Sequence, residues 1–100
     1  MIAQIKSQVE EGLSKLSPHL REWAEKHSIV PHQIKLSLDP EDKTHKTFWL
    51  VTDDVGFKDA SYRVVYDSEN KSFGLECTLE NGVNWYMGGY GDFAETIENM

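Results

Sequence analysis

Apolar side chains recur every three or four positions through the first quarter of the chain: Ile2, Ile5, Val9, Leu13, Leu16, Leu20, Trp23, Ala24 and His27. That spacing places them in one stripe about 100° wide, the signature of an amphipathic helix with one buried side. Glu11 with Lys15 and Glu22 with Lys26 form i,i+4 pairs on the wet side, each contributing only a few tenths of a kcal/mol. Ser17-Pro18 interrupts the run. The stripe keeps its phase across the break, and a Ser-Pro pair also opens helices, so the segment reads as a kinked helix or two nearly collinear ones. It should end before Ser28-Ile29-Val30-Pro31, because the residue before a proline is pushed towards extended geometry.

The period then changes from helical to two. Ile34-Lys35-Leu36-Ser37-Leu38 alternates apolar and polar, as a strand with one buried face does. Asp39 to Lys46 is polar turn chemistry. Thr47-Phe48-Trp49-Leu50-Val51-Thr52 is apolar on both parities and so predicts a strand covered on both sides. A connection from Asp53 to Ala60 around Gly56 leads to Tyr62-Arg63-Val64-Val65-Tyr66, a third strand, and Asp67 to Ser72 turns the chain into Phe73-Gly74-Leu75-Glu76-Cys77-Thr78-Leu79.

With Glu69-Asn70 at the tip of that turn, Tyr66 faces Phe73, Val64 faces Leu75, Tyr62 faces Cys77 and Arg63 faces Glu76. Agreement of apolar and charge pairing supports the register. Asn81-Gly82 predicts a two-residue type I′ hairpin, since both central residues need positive φ. That turn sets Leu79 opposite Asn84, Cys77 opposite Tyr86 and Phe73 opposite Tyr90, and sends Arg63, Val65, Glu76, Thr78, Val83, Trp85 and Met87 to the reverse face. Gly88-Gly89-Tyr90-Gly91 reads as a glycine-rich turn into a short helix, with Asp92 and Glu95 at capping-box spacing and Phe93, Ala94, Ile97 and Met100 on one side.

These elements make an α+β fold: an N-terminal amphipathic helix, kinked or divided, packed on a five-stranded mainly antiparallel meander, then a short C-terminal helix. One hundred residues fit one domain, 1–100, without metals or disulfides. Eleven aromatics rule out a disordered composition. Cys77 is the only cysteine, which suits a reducing compartment. No apolar run has the length of a membrane span and Met1 to Lys6 has no leader-like pattern, so a cytoplasmic protein is expected.

Net charge is −7, and it is uneven: residues 1–30 balance four basic against four acidic groups, whereas 61–100 carry Arg63 and Lys71 against seven carboxylates. An acidic second half repels phosphate backbones and anionic lipid, so nucleic acid and membrane are not expected partners. Asn70-Lys71-Ser72 matches a glycosylation sequon but sits in turn chemistry.

Candidate chemistry is sparse. The glycine run sits where phosphate loops do, yet has neither full phosphate-binding pattern, and Asp92 puts a negative charge at the helix start. His19, His27, His32 and His45 show no metal-ligand spacing, although His32 and His45 could approach Asp39, Glu41 and Asp42. Cys77 reads as a small core hydrophobe in mid-strand. No catalytic, cofactor-binding or metal set is therefore assigned, and no cofactor is expected.

The reverse-face group Arg63, Val65, Thr78, Val83, Trp85 and Met87 has the composition that protein interfaces favour. The expectation is a small acidic, non-enzymatic protein-binding module of inhibitor, immunity, adaptor or chaperone type, whose partner is a basic protein or a second copy. The alternative is a small-ligand binder or fold-assembled enzyme, with Tyr62, Tyr86 and Tyr90 lining a pocket between sheet and helices.

Overall fold

The computed structural model describes residues 1–53 and 62–99; the expected connection up to Ala60 and the expected packing of Met100 lie outside them. The apolar stripe folds as two helices, α1 (Ile2–Lys15) and α2 (Pro18–His27). Leu16 and Ser17 between them are extended, with ψ of 152° and 154°. The break is thus a full separation with Pro18 in the first turn of α2, where its missing N–H costs nothing.

Five strands follow: β1 (Ser28–Ser37), β2 (His45–Thr52), β3 (Tyr62–Asp67), β4 (Ser72–Thr78) and β5 (Asn84–Gly91), and then α3 (Phe93–Glu98). β1 begins six residues earlier than its alternation predicts, because Ser28 pairs with Thr52 across an irregularity before His32 pairs with Leu50. Neighbours in sequence are antiparallel neighbours in the sheet. The sheet curls until β1 and β5 touch at one parallel pair, Ser37 with Trp85, closing a small barrel.

The curl separates two cores. Outside, Ile5, Val9, Leu16 and Ala24 of the helices and Phe93, Ala94 and Ile97 of α3 pack on Val51, Val64, Tyr66, Phe73 and Leu75. Inside, Leu36, Phe48, Leu50 and Val65 are buried together, each burial stabilising by about 1.5–3 kcal/mol. β2 is apolar on both parities because Val51 belongs to the outer core and Phe48 and Leu50 to the inner one.

The β3–β4 register is as the pairing of Arg63 with Glu76 and Tyr66 with Phe73 predicts. The β4–β5 register is not. The Leu79 amide donates to the Val83 carbonyl at 2.8 Å and the Gly82 amide to the Leu79 carbonyl at 2.9 Å, so three residues, Glu80, Asn81 and Gly82, form the loop. Gly82 has φ of 86°, whereas Asn81 is not among the positive-φ residues. A three-residue loop ending in a left-handed glycine replaces the two-residue turn, and the pairing slips by one: Cys77 faces Trp85, Glu76 faces Tyr86 and Thr78 faces Asn84.

Nor is the glycine run a turn. Gly88, Gly89 and Gly91 pair with Leu75, Gly74 and Phe73 across two irregularities, with φ of 128° at Gly88 and 109° at Gly91. The run is bulged strand, continuing directly into α3. There the capping box forms: Asp92 accepts from the Glu95 amide at 2.8 Å while the Glu95 carboxylate accepts from the Asp92 amide.

Candidate functional site

The barrel interior is built by Ile29, Ile34 and Leu36 of β1, Phe48 and Leu50 of β2, Val65 of β3 and Tyr86 of β5, with Gly74 of β4 beside Tyr86. Gly74 gives the reason it closes so tightly. A Cβ there would lie 2.3 Å from the Gly88 carbonyl oxygen and 2.7 Å from the Tyr86 ring. Without one, Tyr86 crosses β4 and stacks on Phe48 at a centroid distance of 4.3 Å, a close approach of the kind that puts glycine inside a strand.

An ion pair sits at each end of this interior. At one end Lys46 Nζ lies 3.0 Å from the Asp67 carboxylate and 3.2 Å from Glu69, and 5.5 Å from the centroid of the Phe48 ring. Asp67 is buried and accepts in addition from the amides of Glu69 and Asn70 and from the Asn70 side chain at 2.7 Å. Burial pushes its carboxyl up, but the Asn70 and Lys46 donors outweigh burial and hold it below the usual carboxylate range.

At the other end Arg63 Nε donates to the Glu76 carboxylate, whose residue is 1 % exposed. Thr78 Oγ1 stands 3.5 Å from the second Glu76 oxygen and 3.0 Å from Asn84 Oδ1. Arg63, Thr78 and Asn84, with Ile29, His32, Leu50 and Asp53, line an open cleft of about 620 Å³ at the mouth of the barrel. The Asp53 carboxylate on its rim is 2.7 Å from His27 Nδ1.

A second concavity of about 340 Å³ runs between α1, the end of α2 and the start of β1. Val9, Leu13, Ile29, Val30 and Pro31 give it an apolar lining, and Lys6, Glu10 and Glu25 flank it. Val30 is 64 % exposed. Among the described residues, the β1 edge from Ser28 to Leu36 that faces away from β2 has no strand partner.

The one-residue slip divides the interface group expected from sequence. Arg63, Val65 and Thr78 do face one way, into the barrel, with Val65 fully buried there. Met87 packs against the outer core, and Trp85 and Val83 lie on that same outer side, across from Cys77 and Leu79. The six residues therefore form no single face. The three tyrosines do not converge either: Tyr62 and Tyr90 pack on the outer core, Tyr86 on the inner one.

Of the polar candidates, His45 reaches Asp42, with Nε2 2.5 Å from Oδ1, and Ser37 donates to the same oxygen. The carboxylate stands between hydroxyl and imidazole, so His45 cannot take the Ser37 proton, and the order is wrong for nucleophilic catalysis. Among the described residues no group of three or more His, Cys, Asp or Glu side chains could hold a metal. Cys77 is half-buried rather than in the core, and burial and the Glu76 charge push its thiol up, away from the reactive thiolate.

Sequence reasoning missed both concavities. The mouth had one legible signal, Arg63 opposite Glu76 with Thr78 on the same face; curling of the sheet around it had none. No family model, curated protein or solved structure matches this chain. No helix among the described residues is long and apolar enough to cross a membrane.

Proposed function

We propose that the protein is a small acidic, non-enzymatic protein-binding module of the cytoplasm, and that it takes an extended segment of a basic partner in the groove between α1, the end of α2 and β1. The observation that carries this reading is the coincidence of an exposed apolar lining, centred on Val30, with an unpaired edge of β1. A partner strand added to such an edge gains main-chain hydrogen bonds while alternate side chains enter the apolar groove. Glu10 and Glu25 on the flanks, within a chain of net charge −7, favour basic residues beside the partner's apolar ones. Pro31, buried in β1, limits how far pairing extends, as edge-strand prolines do.

Affinity capture with the immobilised protein, compared with its Val30→Lys variant, tests the reading. A partner held by the natural chain, released by moderate salt and lost on Val30→Lys with an unchanged amide spectrum, is the expected result. A strict monomer by light scattering that retains nothing in repeated captures, or a partner indifferent to Val30→Lys, rejects it.

A further inference from the structure

The mouth of the barrel is a different surface from the groove and has different chemistry. Glu76 is 1 % exposed, and it pairs with Arg63 at the end of an interior that holds Leu36, Phe48, Leu50, Val65 and Tyr86. A buried ion pair is weak evidence for stability, since apolar residues of like volume serve as well or better. The pair does have a geometric effect. Glu76 holds Arg63 by Nε, which fixes the guanidinium of a residue that itself lines the cleft.

The donors and acceptors around that cleft select a ligand. Arg63 supplies N–H groups, the Asn84 amide and exposed His32 supply further polar positions, Asp53 supplies acceptor oxygens, and Leu50 and Ile29 supply an apolar floor. Glu76 already neutralises Arg63 and His27 already engages the Asp53 carboxylate, so a ligand anion would face the Glu76 charge from about one side-chain length, and a ligand cation would face Arg63. An uncharged group that both accepts and donates meets neither penalty. We propose that the mouth of the barrel binds a small uncharged carboxamide with a branched aliphatic body, its carbonyl on Arg63 and its aliphatic part on Leu50 and Ile29, and that Glu76 is the positioning residue that turns Arg63 towards it.

Three probes that share the leucine side chain separate the charge classes: N-acetyl-leucinamide, which is neutral, N-acetyl-leucine, its near-isosteric anion, and leucinamide, a smaller cation without the acetyl group. In amide-proton NMR titrations of the full chain, N-acetyl-leucinamide should give saturable shifts at Leu50, Arg63, Thr78 and Asn84, and bind about tenfold more tightly than either charged probe. Equal or tighter binding of N-acetyl-leucine, or no saturable shift at these residues, overturns the proposal. Glu76→Gln leaves Arg63 unneutralised and should move the preference to N-acetyl-leucine, a reversal that a merely structural Glu76 would not produce. Asn84→Asp, at an exposed position that does not threaten folding, adds an anion at the rim and should move it to leucinamide. Retention of the original order by Asn84→Asp, or by a folded Glu76→Gln, also overturns it.

Discussion

The two ends of the barrel carry the same pair of charges on the same interior face, and they are finished differently. Lys46 and Asp67 close one end: the carboxylate has three further donors from the β3–β4 turn, the amides of Glu69 and Asn70 and the Asn70 side chain, and the lysine a second acid, Glu69. Arg63 and Glu76 leave the other end open, with Arg63 Nε on the Glu76 carboxylate and a cleft above the pair. Equal charge pairs thus do unequal things. Where the turn satisfies every oxygen the pair is structural, and where the guanidinium lines a cleft the pair can present it to something else.

The largest expected effect comes from Arg63→Met, which strands Glu76 in the interior with the Thr78 hydroxyl 3.5 Å away as a remaining donor among the described residues. Urea unfolding should show a loss of about 3 kcal/mol. Combining it with Glu76→Leu should recover most of that loss, because both charges then leave the interior together. Lys46→Met should cost less, about 1–2 kcal/mol, because Asp67 keeps the Glu69 and Asn70 donors. A Lys46→Met loss equal to that of Arg63→Met would erase the distinction between the two ends.

Acid should act on the closed end and its neighbouring turns first. The carboxyls of Asp67, of Asp92, which caps α3, and of Asp39 are held below their ordinary range. For Asp39 the Thr44 hydroxyl, together with the amides of Lys43, Thr44 and Glu41, brings it to about 2. A depressed folded-state value contributes stability that is complete above the ordinary carboxylate range and is lost as pH falls. Thermal midpoints should therefore decline from about pH 4 towards pH 2, and carboxyl-carbon NMR should find Asp39 titrating near the bottom of that interval. The smallest effect is expected from Val30→Lys, within about 0.5 kcal/mol of the natural chain, since an exposed side chain supports little of the fold.

Residues that pair over short, regular distances were legible in the sequence. The 3.6-residue stripe of Ile5, Val9, Leu16 and Ala24 marks the helical side of the outer core, and Arg63 opposite Glu76 sets the β3–β4 register. Asn81-Gly82 misled because one left-handed residue suffices in a three-residue loop, and a single extra loop residue turns Trp85 and Met87 over to the other side. Gly88 to Gly91 misled because glycine suits a bulged strand as well as a turn. The contact of Ser37 with Trp85 that closes the barrel joins residues far apart in the chain, and no local pattern encodes it.

The packing of α1 on α3 has a consequence for how the chain is made. Lys15 in the last turn of α1 is bonded to Asp92 at the cap of α3, 77 residues later, and a Cβ on Gly12 would meet that of Phe93 at 2.7 Å. On a ribosome adding ~5–20 residues per second, α1 emerges roughly 4–15 s before the helix that covers it. Throughout that interval Ile5, Val9 and Leu16 lack their α3 neighbours, so the outer core is completed only once Phe93 to Ile97 have been synthesised.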